Sequence, residues 1–154
     1  MLVSIAEWSW LFSHEREHSQ RGGVGMKRVY EAVWDWSLVQ DLGQRVENLV
    51  ASALLKAVHF WTDHGLGEFE LFFVRDKEKR EVDFLVARDG LPWFLVEVKS
   101  SDRKLAPALA RFQEQTGALH AFQAVLELPC VNRSCFDVTT PAVVPLRTLL
   151  SQLV

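Results

Sequence analysis

The twenty residues 80–99, REVDFLVARDGLPWFLVEVK, decide how this chain folds. Two runs rich in Val, Phe and Leu flank Arg88-Asp89-Gly90-Leu91-Pro92, a stretch with the turn chemistry that separates strands. The spacing predicts strands over 80–87 and 93–99, joined by a loop short enough for an antiparallel hairpin. Trp93, Phe94, Leu95, Val96 and Val98 make a nearly continuous apolar run, as expected of a central strand covered on both faces. Three ionisable residues interrupt the pattern. Asp83 stands among Val82, Phe84, Leu85 and Val86, which sends a carboxylate from a mostly apolar strand into a half-buried place. Strand alternation puts Trp93, Leu95, Glu97 and Lys99 on one side, with Glu97 and Lys99 about 6.5 Å apart at the strand end. A buried carboxylate costs several kcal/mol unless it is paired, hydrogen-bonded or bound to a metal, so these positions ask for an explanation.

Working outward, residues 69–75 form a third strand-like run, separated from the second by Asp76-Lys77-Glu78-Lys79. Upstream, Val46, Leu49, Val50, Ala53, Leu54, Ala57, Val58 and Trp61 recur at three and four residues, which predicts a helix over 42–62. Asp41 with Gln44 resembles a capping box, and His64-Gly65 supplies a left-handed stop. Downstream, Leu105, Leu109 and Phe112 predict a second helix with Pro107 in its first turn and its end near Gly117. Residues 121–128 read as a further strand and 147–153 as a short final helix. The expected class is α/β (α+β), with a mixed central sheet in the order α-β-β-β-α-β. Residues 28–39 suit a strand or an irregular edge.

With 154 residues the chain is the size of one domain. Residues 1–25 lack sustained periodicity and end Gly-rich. They are expected to be a poorly structured leader, with 26–154 as the domain and Met26 as an alternative native start. Net charge is −3, which excludes a uniformly cationic nucleic-acid coat. Residues 75–111, however, carry nine basic against seven acidic side chains. Two cysteines, Cys130 and Cys135, are too few for a disulfide scaffold or a four-cysteine zinc site, and fit free thiols in a reducing cytoplasm. No uncharged apolar run approaches the ~18 residues that span a bilayer, so neither export nor membrane insertion is expected.

Two accounts of Asp83, Glu97 and Lys99 stand at this point. One is a structural cluster that pairs off its own charges. The other is a hard-cation site, because two carboxylates suffice for Mg²⁺ when water and phosphate complete its shell. The pattern of Asp83, then Glu97-Val98-Lys99 fourteen positions on, with Glu47 on the preceding helix, resembles the PD-(D/E)xK nuclease superfamily. More narrowly, RVENLVASALLKAVHFWTD, FVRDKEKREVDFLVARDG and PWFLVEVKSSDRKLAPALARFQ are similar to the uncharacterised nuclease-like domain at the C-terminus of many bacterial and archaeal AAA-type ATPases. The likeness runs from about Lys27 to the C-terminus.

That resemblance implies a restriction-endonuclease-like core hydrolysing DNA phosphodiester bonds with Mg²⁺ or Mn²⁺ and no nucleotide. It makes Asp83 and Glu97 metal ligands and Lys99 the cation on the scissile phosphate. Glu47 becomes the helix carboxylate that binds a second metal or orients water, and Gln113, beside Phe112, reaches toward the same end of the sheet. The helical phase independently puts Glu47 at the margin of the apolar stripe. Lys77, Lys79, Arg80, Arg103 and Lys104 are candidates for DNA backbone contacts.

The chain departs from the family pattern where Val82 replaces proline, where the Asp76–Lys79 segment lacks the usual glycine, and where no GxxxxGK[ST] phosphate loop exists. The rival expectation is therefore a binding or regulatory module beside an ATPase partner. Six tryptophans against one tyrosine suggest an apolar surface suited to homodimerisation. A second motif, His14-Glu15-Arg16-Glu17-His18, has the H-E-x-x-H spacing of a zinc site, but too little chain precedes it to build a cleft.

Overall fold

The computed structural model describes residues 18–21, 24–29 and 41–153. Seven strands form one sheet whose spatial order follows the chain: β1 His18–Arg21, β2 Val24–Arg28, β3 Phe69–Asp76, β4 Glu81–Arg88, β5 Leu91–Lys99, β6 His120–Val125 and β7 Ala142–Pro145. Strands β1 to β5 run antiparallel, and β6 and β7 lie parallel to β5. Among the described residues three α-helices, α1 Leu42–Asp63, α2 Pro107–Thr116 and α3 Leu146–Ser151, accompany the sheet in a mixed α+β fold.

Residue patterning explains the helices. The Gln44 amide donates to Asp41 Oδ1 at 2.9 Å and opens α1, while Gly65 at φ 71° follows its last turn. Pro107 starts α2, and Gly117 at φ 72° stops it in the left-handed conformation. α1 buries Val46, Val50, Leu54 and Val58 against Leu71, Phe84, Val86, Phe94 and Phe122 on one face of the sheet. α2 buries Leu109 and Phe112 against Val74, Val82, Leu85 and Leu95 on the other. Each such fully buried side chain contributes about 1.5–3 kcal/mol. No helix of the described residues is long and apolar enough to cross a membrane.

The expected boundary at residue 25 requires correction, because it falls inside β2. Val24 and Met26 are buried and pack in the α2-side core, so the segment belongs to the sheet rather than to a loose leader. Of the H-E-x-x-H run, only His18 is among the described residues, where it opens β1; the other four lie outside them, as do residues 30–39 of the suggested edge segment.

The β3–β4 turn shows what the missing glycine entails. Lys79 adopts φ 62°, a left-handed conformation that an L-residue with a Cβ resists. Lys79→Gly is expected to stabilise the fold by about 0.5 kcal/mol after the extra flexibility of the unfolded glycine is offset. Urea denaturation measures this, and a loss of stability would show that the Lys79 side chain anchors the turn.

Candidate functional site

Two register breaks place the ionisable residues. Phe72 faces Leu85 and Val74 faces Val82, so three steps along β4 match two along β3. The extra residue is a bulge at Asp83-Phe84. Its effect is visible in the packing, since Val82 lies in the α2-side core and Phe84, two residues on, in the α1-side core. A second break matches Val86 to Phe94 and Ala87 to Pro92, which inserts Trp93 into β5. Trp93 consequently packs with the α1-side core while Leu95 joins the α2 side, correcting the expectation that Trp93 and Leu95 share a face.

The regular β4–β5 pairing ends at Phe84 and Val96. Beyond it, Asp83 Oδ2 takes over the work of a strand carbonyl and accepts the Val98 amide at 2.7 Å. The regular pairing stops here, near the C-terminal end of β5, a place we call the notch. Lys99 Nζ meets Glu97 Oε1 at 2.6 Å there, with the Lys99 side chain 36% and the Glu97 side chain 12% exposed. Glu47, half-buried in the second turn of α1, completes the group.

The charges within this group are unequal, with three carboxylates and one ammonium. Burial, followed by the neighbouring Glu97, pushes the Glu47 carboxyl up from 4.5 to about 7, and Lys99 only partly counters it. Burial also raises Asp83 well above the usual carboxylate range, reinforced by Glu97 and then Glu47, against the Val98 hydrogen bond. For Lys99, burial opposes the ammonium, but Glu97, Asp83 and Glu47 outweigh it and hold its pKa up. Among the described residues the group thus holds more carboxyl groups than cations.

An oxygen-only donor set whose carboxyl groups outnumber its cations fits a hard divalent cation in its chemistry, the cation displacing the protons those carboxyls hold. The fit is incomplete in geometry: among the described residues, no three His, Cys, Asp or Glu side chains are arranged to hold a metal ion as they stand. Glu97 is already engaged by Lys99, and one Asp83 oxygen by Val98.

Gln113 does not join the site. Its Nε2 donates to the carbonyls of Ala118 and Leu119, just before β6, and of Thr139, just before β7, at the opposite end of the sheet from Lys99. Helical phase gives a residue's face but not its distance along the axis, and the seventh residue of α2 lies too far down. Arg80 is also committed elsewhere. Its Nε meets Asp76 Oδ2 at 2.7 Å and its Nη2 pairs with Glu78, so it holds the hairpin rather than presenting a free cation. Burial works against the Asp76 carboxylate, yet the Arg80 hydrogen bonds and charge keep its pKa below the usual range. By contrast, Lys77, Lys79, Arg103 and Lys104 are exposed and make no ion pair among the described residues.

The structure also contains a functional candidate that the sequence reading missed. Gln123 is fully buried on β6, level with Glu97 on β5, and all its polar capacity is directed to the loop after β5. The Ala106 amide donates to Oε1 at 2.7 Å, while Nε2 donates to the carbonyls of Asp102 at 3.0 Å and Lys104 at 2.9 Å. The signal was available, since Gln123 interrupts Ala121-Phe122 and Ala124-Val125 much as Asp83 interrupts its own strand.

Among known proteins, a family model described as a domain of unknown function, DUF4143, matches residues 42–147. No curated protein and no solved structure matches the chain.

Proposed function

The chain belongs to the DUF4143 family, and from that premise we propose that it has a restriction-endonuclease-like core and acts as a metal-dependent nuclease-like domain on DNA phosphodiester bonds. The observation that supports this most is the notch itself. A bulge removes Asp83 from the strand's alternation, its carboxylate takes the Val98 amide where regular pairing stops, and among the described residues one ammonium stands with three carboxyl groups. A structural ion cluster has no need of that imbalance, whereas a site that takes a divalent cation and a phosphate does.

In this reading Asp83 and Glu97 hold Mg²⁺ or Mn²⁺, with Glu47 beside them. The cation supplies Lewis acidity and neutralises developing charge when bound. Lys99 remains protonated and stabilises negative charge on the phosphate oxygens, a role suited to an ammonium 36% open to solvent. Glu47, with a pKa near neutrality, orients the attacking water and accepts its proton. The exposed Lys77, Lys79, Arg103 and Lys104 contact the flanking backbone.

One observation favours a second reading, a binding or regulatory module that keeps the fold beside an AAA-type ATPase. Lys99 closes on Glu97 at 2.6 Å, and the carboxylates are not assembled around one point. A nicking assay separates the two. Supercoiled plasmid, single-stranded and branched DNA are incubated with the purified chain in Mg²⁺ or Mn²⁺, then with EDTA. Metal-dependent nicking of any substrate is the expected result, and no cleavage across all of them would leave the module.

A further inference from the structure

We propose that Gln123 is a positioning residue for nucleic-acid binding: it fixes the loop between β5 and α2 so that Arg103 and Lys104 stand ready for the phosphate backbone beside the notch. The proposal deepens the nuclease reading and rests on it. Its basis is a juxtaposition independent of the carboxylates. Ser101, Asp102, Arg103 and Lys104 are exposed, and so open a segment that ordinarily would be mobile. Here alternate residues are tied down from beneath, through the carbonyls of Asp102 and Lys104 and the amide of Ala106, all to one side chain that is 0% exposed. The Lys104 amide also donates to Asp102 Oδ1 at 2.9 Å, and the Glu127 amide anchors the loop's start at the Ser100 carbonyl.

A buried amide that satisfies three main-chain groups of a polar surface loop stabilises that loop's shape more than the core around it. The loop begins one residue after Lys99, the cation of the notch. Arg103 and Lys104 carry no ion pair among the described residues, so their charge is available to an anion. Holding two cations on an ordered backbone lowers the entropic cost of immobilising them on a phosphate, which improves affinity without any change in the reacting groups. The expected signature is therefore in KM and DNA affinity, with kcat spared.

The test compares wild type, Gln123→Met, the surface pair Arg103→Ala/Lys104→Ala and the combination of all three. Binding of a labelled duplex is measured in Ca²⁺ from 50 to 200 mM salt, about the range over which phosphate contacts weaken strongly, and cleavage kinetics are measured in Mg²⁺. Hydrogen exchange reports residues 100–106. Gln123→Met is expected to speed exchange in the loop and raise KM and Kd by about tenfold, with kcat within about twofold. The surface pair should give a similar loss and a shallower salt dependence, and the combination should be no worse than the pair. A loosened loop with unchanged affinity in Gln123→Met would overturn the proposal alone. So would unchanged affinity in the surface pair, which does not disturb the core even if the Gln123 variant fails to fold. Wild-type protein that neither binds nor cuts DNA would instead remove the nuclease reading, and this proposal with it.

Discussion

Asp83→Asn is expected to produce a chain that is more stable than wild type without metal, by ~1 kcal/mol, and that has lost metal-dependent cleavage by on the order of 10³-fold. The stability gain follows from what the carboxylate does now. It accepts the Val98 amide through Oδ2, and the carboxamide oxygen of the substituted side chain continues that bond at the same place. What disappears is a charge that burial disfavours and that Glu97 and Glu47 both repel. The activity loss follows from the opposite need, since an uncharged oxygen is a poor ligand for a hard divalent cation. Calorimetry and the nicking assay on one preparation give both numbers. If Asp83→Asn instead destabilised the chain, the carboxylate would be holding the bulge through its charge, making the cluster structural. Full activity in that variant would remove Asp83 from the chemistry altogether.

Much of this arrangement was legible in the sequence because it rests on local periodicity. The α1 stripe with its Asp41 cap, the three strands β3 to β5, and α2 between Pro107 and Gly117 all follow from spacing and from residues whose backbone preferences are strong. Strands β1, β2 and β7 were not anticipated. They are four or five residues long, and two lie on either side of Gly22-Gly23, text that reads as a break unless the partner strand is known. Such strands form because a neighbour offers unpaired main-chain groups, which is a tertiary fact. At the site, residue types pointed to Asp83, Glu97, Lys99 and Glu47, but alternation could not reveal that one bulge moves Asp83 and another moves Trp93. Gln113 failed for a related reason: its distance from the notch depends on where α2 sits along the sheet, and its three carbonyl partners come from outside the helix. The same polar-in-apolar signal that identified Asp83 would have identified Gln123, whose meaning emerges only once the loop above it is placed.

The metal-free protein is expected to lose stability as pH rises from about 5 to 8, contrary to the common pattern in which paired carboxylates favour neutral pH. In the unfolded chain Glu47 gives up its proton near 4.5, whereas in the fold it keeps it to about 7. Between these values the native state binds more protons than the unfolded state, so each step up in pH draws the equilibrium toward unfolding. Asp83, raised in the same direction, adds to the same slope. The other displaced groups act elsewhere: Asp76, held low by Arg80, costs stability only as pH falls below the ordinary carboxylate range, and Lys99 stays charged throughout the window. A difference from 4.5 to about 7 corresponds to at most ~3 kcal/mol, and partial solvent access to Glu47 reduces that to about 1–2 kcal/mol. Urea denaturation at pH 5.5 and 8.0 in EDTA measures the slope, and Glu47→Gln should flatten it. Millimolar Mg²⁺ should restore stability at pH 8.0 far more than at 5.5, because protons and the cation compete for the same oxygens. A flat profile in EDTA would mean that the carboxylates relax apart in solution. A sloping profile that Mg²⁺ leaves untouched would mean that the repulsion is real but that the notch does not take the ion, which favours the binding module over the nuclease.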